Sequence, residues 1–224
     1  MLPYVFLALF LIAAVLNLIA AAKDQKALFS ATKPLLLSLL CVYAVVNGLP
    51  KPDLLLPAAL FFCFLGDVLL MLRGNFWFTA GGVSFLVGHI LLIVIFARDV
   101  DFAHLPLAYL IPAALLYAAA VAFVICRTFK ITPAFMRAPM ILYLVCNGTT
   151  NIFALTRLVR APGLWSALSY VGAILFFLSD CALCLARFGP SGKRFYKSNF
   201  FIMLTYIAGV CFITLGLSPI AAVL

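Results

Sequence analysis

The chain has 224 residues, of which 67% are hydrophobic and 9% charged, and its mean hydropathy is +1.26. Charged residues make up about a quarter of an ordinary soluble domain, so this composition excludes one and indicates a polytopic membrane protein. A formal charge of +9 would point a soluble protein towards nucleic acid, but here the bases are scattered through short connections and form no contiguous basic face. Nucleic acid is therefore not an expected partner.

Eight apolar segments follow one another, and together they predict an all-α bundle of eight transmembrane helices in a single domain, 1–224. The first, 2–22, ends in three alanines that resemble a signal-cleavage site. No base precedes it, and about 20 apolar residues are enough to span a bilayer, so it is read as a retained helix. The second, 34–49, opens on Pro34 and stops at Gly48 and Pro50. The third, 54–72, carries Asp67, and the fourth, 78–97, carries His89. The fifth is 105–126. The sixth, 138–158, holds a polar patch from Asn147 to Asn151. The seventh, 163–186, carries Asp180, and the eighth, 199–221, carries Tyr206.

Assigning the connections alternately to the two sides puts eleven Lys and Arg on one side (Lys23, Lys26, Lys33, Arg73, Arg127, Lys130, Arg137, Arg187, Lys193, Arg194, Lys197). The other side has four: Lys51, Arg98, Arg157 and Arg160. The excess marks the first side as cytoplasmic and leaves both termini outside, the membrane being the cell (inner) membrane if the chain is bacterial. At a rise of about 1.5 Å per residue, Asp67, Asp180 and Asn17 then sit roughly 9–10 Å inside the cytoplasmic end of their helices. Tyr43, His89, Asn147 and Tyr206 fall about 10–17 Å in from the same side. These residues are expected to share one layer, a polar pocket open towards the cytoplasm.

There is no glutamate, and of the six aspartates only Asp67 and Asp180 lie inside apolar segments, Asp24, Asp53, Asp99 and Asp101 falling in or beside connections. A carboxylate in hydrocarbon costs roughly 2.5–3.5 kcal/mol even on a lenient scale, which makes the pair candidates for chemistry or transport rather than packing. Two neighbouring buried carboxyls also resist ionising together, so one can carry a proton while the other carries charge. Phe64-Leu65-Gly66-Asp67 and Phe177-Leu178-Ser179-Asp180 are near copies four segments apart. That spacing suggests a 4+4 parallel repeat with equivalent aspartates about an axis along the membrane normal.

His89 is the one intramembrane histidine, either a satisfied core residue or a proton shuttle beside the acids. One histidine and two aspartates are enough for a zinc site with water as fourth ligand, but no spacing demands a metal, and no cofactor is expected. Asn147, Asn151, Ser179 and Tyr206 are donors and acceptors suited to a lipid head group, or to hydrogen bonds between helices. Arg73 and Arg187 stand where the two aspartate helices meet the interface, placed to attract a phosphate or to anchor topology. The seven cysteines lie within apolar segments as small hydrophobes, and the Cys181-x-x-Cys184 pair lacks a redox context. No serine-hydrolase elbow, zinc-protease motif or phosphate-binding glycine loop occurs.

Phe64-Leu65-Gly66-Asp67, Gly81-x-x-x-Phe85-x-x-x-His89 and Phe177-x-Ser179-Asp180 together resemble the YhhN family of membrane proteins, which includes lysoplasmalogenases. The resemblance implies hydrolysis of the vinyl-ether bond of lysoplasmalogen, a lysophospholipid, to a fatty aldehyde and a glycerophospho head group. It casts Asp67 and Asp180 as the acid and base, with His89 and Tyr206 steering proton or water. An apolar channel between helices would hold the alkenyl chain. The competing class is a proton-coupled or lipid transporter using the same acids, for which a broken helix at the 147–151 patch would be the sign. A lipid-binding or assembly protein without turnover is a third reading.

Overall fold

The computed structural model describes residues 2–50, 52–98, 100–189 and 198–218. Among them are eight α-helices and no strand: α1 Leu2–Ala22, α2 Lys26–Asn47, α3 Leu55–Met71, α4 Asn75–Ala97, α5 Leu107–Thr128, α6 Ala134–Arg160, α7 Leu164–Phe188 and α8 Ser198–Leu217. Seven are long and apolar enough to cross a membrane; α3, with 17 residues, is shorter. Its length of about 26 Å lies at the lower end of the spanning range. The expected loop positions of Lys51, Asp99, Lys193, Arg194 and Lys197, and the end of the eighth segment at 219–221, lie outside the described residues.

The bundle is inside-out by the standard of a soluble protein. Asn17, Asn147, Thr150 and Asn151 are fully buried, while Leu115 and Leu116 are about two-thirds exposed and Phe201 is also outward. Apolar surface faces lipid, and polar groups turn inward where other helices can bond them. This is a multipass integral membrane protein.

Each helix packs on the next in sequence from α1 to α4 and from α5 to α8, and the halves join where α4 meets α6 and α8 meets α1 and α2. Two features of the chain allow this. Gly74 takes φ +119 in the three-residue connection between α3 and α4, a conformation few side chains tolerate. Gly172 and Gly209 let α7 and α8 touch backbone to backbone: a Cβ on Gly172 would meet Gly209 O and Ile213 N at 2.7 Å.

Two boundaries differ from expectation in ways that matter. The second helix starts at Lys26 rather than at residue 34, and runs through Pro34. Ala27, Leu28, Phe29 and Ala31 continue its apolar character, and a proline inside a membrane helix is tolerated where neighbouring groups take up the freed carbonyl. Lys33 is therefore not a loop charge but a residue of the helix, about 10 Å along α2 and level with the polar layer. Tyr43, measured from the true start, lies about 25 Å along α2 and leaves the cytoplasmic-side layer. The sixth helix is also longer at both ends, 134–160 rather than 138–158. Arg157 thus belongs to its last turn, where Nη1 donates to Ser169 Oγ and Gly216 O, both at 3.0 Å, and ties α6 to α7 and α8. Asn17 is at the expected level but faces α2, donating to Thr32 Oγ1 at 2.9 Å and to Phe29 O at 3.3 Å.

Candidate active site

Asp67 lies four residues before the end of α3 and is almost fully buried. Gly66 beside it leaves room for the Phe85 ring of α4, whose edge occupies the place of a Cβ. Both carboxylate oxygens of Asp67 are engaged. Lys33 Nζ of α2 is 3.0 Å from Oδ1, and the Tyr206 hydroxyl of α8 donates to Oδ2 at 2.7 Å.

Asp180 on α7 is built differently. Its Oδ2 accepts from Asn147 Nδ2 at 2.6 Å and from the Tyr143 hydroxyl, both on α6. His89 Nε2 of α4 stands 3.8 Å from the same oxygen, beyond hydrogen-bond reach, and has no hydrogen-bond partner among the described residues. The His89 ring is held between Phe176 and Tyr143, at centroid distances of 4.8 and 5.5 Å, and Nδ1 is 3.3 Å from Thr150 Oγ1. Oδ1 of Asp180 has no hydrogen-bond partner among the described residues and is not sealed off, because the side chain lines a cavity.

That cavity holds about 330 Å³ and is lined by both aspartates, by Lys33, Tyr206 and Ser179, and by Arg187 and Asn199. The α3 side chains enter it near the end of their helix, and those of α2 and α8 near the start of theirs, so it lies towards one face of the bundle. Arg187 is stacked over Phe78 at 4.2 Å from the ring centroid, with Nη2 donating to Asn75 Oδ1 at 3.3 Å. A second, narrower cleft of about 40 Å³ runs between α4, α6 and α7. It shares Leu70, Phe78, Phe85, Leu183 and Asp180 with the larger cavity.

The residues singled out in the sequence thus divide. Asp67, Asp180, Tyr206 and Arg187 come together around one cavity. Ser179 joins them, but its Oγ donates to Ile202 O at 2.9 Å and so serves to hold α7 on α8. Asn147 and Asn151 are not among the lining residues: Asn147 supports Asp180 from behind, and Asn151 lies one step further back. Asn151 donates to Asn147 O at 3.0 Å and accepts from the Tyr117 hydroxyl at 3.2 Å. Arg73 is exposed beyond the end of α3 and lines neither cavity, because the helix stops at Met71 and the chain turns away. Lys33 and Tyr143 are the residues that sequence reasoning missed. Among the described residues, no three His, Cys, Asp or Glu side chains converge as metal ligands would.

The donor helices follow a rule. Asp67 on α3 is served by α2 and α8, while Asp180 on α7 is bonded by α6 and approached by His89 of α4. Adding four to each helix number, and counting round past eight, turns one set into the other, the relation a four-helix repeat would have.

Fold and site define an all-helical multipass membrane protein with two buried carboxylates around an intramembrane polar cavity. The family model described as the YhhN family matches residues 28–217, and the chain belongs to that family. None of the curated proteins or solved structures compared with the chain matches it.

Proposed function

We propose that this protein is a lysoplasmalogenase-type hydrolase, cleaving the vinyl-ether bond of a lysophospholipid with its two intramembrane aspartates. The observation that carries the reading is the unequal treatment of the two carboxyls on one cavity: Asp67 has a cation and a donor on its two oxygens, whereas Asp180 keeps Oδ1 open. Vinyl-ether hydrolysis needs such a pair, as glycoside hydrolysis does through a similar cation.

In this mechanism Asp180 Oδ1 delivers a proton to the β-carbon of the alkenyl chain, and the α-carbon becomes an oxocarbenium ion. Tyr143 and Asn147 keep their donors on Oδ2, which turns Oδ1 towards the substrate. The Asp67 carboxylate faces the developing positive charge and orients a water, with Tyr206 and Lys33 fixing its position. Water adds to the α-carbon and its proton passes, by way of the Asp67 carboxylate that orients the water, to Asp180, restoring the proton delivered first. The hemiacetal then collapses to a fatty aldehyde and the glycerophospho alcohol. Arg187 and Asn199, at the cavity wall, are placed to meet the phosphate. The basic excess on connections at the ends bearing the cavity supports a site open to the cytoplasm of a cell membrane, with both termini outside.

A transporter is less well supported, since α6 runs as one helix from Ala134 to Arg160 through the polar patch. Purified protein incubated with lysophospholipids, with aldehyde release followed by mass spectrometry, tests the proposal. Release from the alkenyl lipid, with one deuterium at aldehyde carbon 2 in heavy water, is expected. Absence of aldehyde, or full activity in both Asp67→Asn and Asp180→Asn, overturns it.

A further inference from the structure

We propose that the narrow cleft between α4, α6 and α7 is a lateral port that takes the single hydrocarbon chain of the substrate directly from the membrane, with Gly82 as its gatepost. The substrate assigned to the port rests on the hydrolase reading, but the port itself follows from the geometry.

The walls of the cleft are Phe78 and Gly82 of α4, Met136, Pro139 and Met140 of α6, and Leu183 of α7. Its one carboxyl is Asp180, and that residue also lines the polar cavity. An amphiphile with its chain in the cleft and its head in the cavity would therefore have the junction of chain and head at the open Oδ1. The occupant is defined by this continuity: apolar at one end, polar and anionic at the end where Lys33 and Arg187 stand.

The cleft leads to lipid rather than to water. Gly82 and Pro139 are half-buried, and beside them Val83 and Phe135 face outward. A Cβ on Gly82 would meet nothing within 4 Å, so the missing side chain is an opening and not a packing requirement. Gly88, one and a half turns further along α4, is the contrast, because its Cβ would strike Cys63 Sγ at 2.7 Å. Two methionines on the α6 wall give a surface that adapts to a flexible chain. At about 40 Å³, against about 330 Å³ in the polar cavity, the cleft is a narrow slot beside a wider chamber.

The test uses full-length protein in lipid nanodiscs and a lysophospholipid carrying a diazirine on its chain. Photolabel is expected on α6 peptides containing Met136 and Met140, and in Gly82→Leu it should fall at least about tenfold, since the lost burial of two methylenes already amounts to that. Gly82→Ala serves as the folding control. In turnover, Gly82→Leu should lose at least about ten times more kcat/KM on a long alkenyl chain than on a four-carbon one. Label confined to helices other than α4, α6 and α7 in the wild-type protein, or an unchanged chain-length profile in folded Gly82→Leu, overturns the port. Labelling needs no turnover, so a protein that is labelled at the cleft yet releases no aldehyde keeps the port and rejects the hydrolase.

Discussion

Lys33 Nζ lies 3.0 Å from Asp67 Oδ1, an ion pair that joins α2 to α3 inside the membrane span with both side chains largely or wholly buried. Removing one partner of such a pair leaves an uncompensated charge and costs about 3–5 kcal/mol, whereas replacing both by apolar groups is often neutral. Lys33→Met is therefore expected to lower unfolding stability in detergent by that amount. Lys33→Met combined with Asp67→Leu should recover most of the stability while remaining inactive. A Lys33→Met protein as stable as the wild type would show that the ion pair does not hold α2 on α3.

Tyr143 and Asn147 both donate to Oδ2 of Asp180, while His89 stands off at 3.8 Å. Asp180 acquires charge as its proton leaves, and a hydrogen bond to a charged group contributes about 1.5–3 kcal/mol, so Tyr143→Phe should reduce kcat roughly ten- to a hundredfold. His89→Gln should cost clearly less. Aldehyde-release kinetics on the two purified variants decide the order, and the reverse order would make His89 the proton's direct partner.

Arg187 and Arg73 occupy matching places in the sequence, seven and six residues beyond the two aspartates, but only Arg187 lines the cavity. If Arg187 binds the phosphate as proposed, Arg187→Ala is expected to raise KM about tenfold. Arg73→Ala should leave KM unchanged. The comparison is read from initial rates across substrate concentration.

At the other end of α4, Asp101 Oδ2 accepts from His104 Nδ1 at 3.0 Å and Arg160 Nη2 at 3.3 Å, and Oδ1 from the Ala103 amide at 3.0 Å. The His104 bond first, and the Ala103 amide next, hold the Asp101 carboxyl below the usual carboxylate range. A depressed folded value means that its stabilisation is present above the unfolded value of about 3.9 and is lost as pH falls through the folded one. Amide-exchange protection of Ala103 should therefore stay level from neutral pH down to about 4 and fall below that. Asp101→Asn should abolish the step.

Much of this arrangement is legible in the sequence, for identifiable reasons. Asp67 and Asp180 stand out because a charge in an apolar run has no cheap explanation, and depth counting from the flanking bases puts Tyr206 and Asp67 at one level. Lys33 is hidden by Pro34, which reads as the first residue of a helix although α2 begins eight residues earlier. The same shift makes Tyr43 look too shallow. Tyr143 cannot be singled out, since an aromatic residue in an apolar run looks like core until the direction of its hydroxyl is known. Arg73 misleads in the opposite sense: nearness along the chain does not survive the end of α3 at Met71.

The rule that pairs α3 with α8 and α7 with α4 has a consequence for how the molecule is made. Phe29, Lys33, Asp67 and Phe85 come from the first four helices, and Asp180, Arg187, Asn199 and Tyr206 from the last four, so the cavity is a seam. Neither half owns it. The connection at 98–106 then acts as a tether, keeping two incomplete partners at high effective concentration rather than contributing to the chemistry. Two separate chains, divided within that tether, are expected to be silent apart and to recover the proposed aldehyde release when inserted together into one membrane.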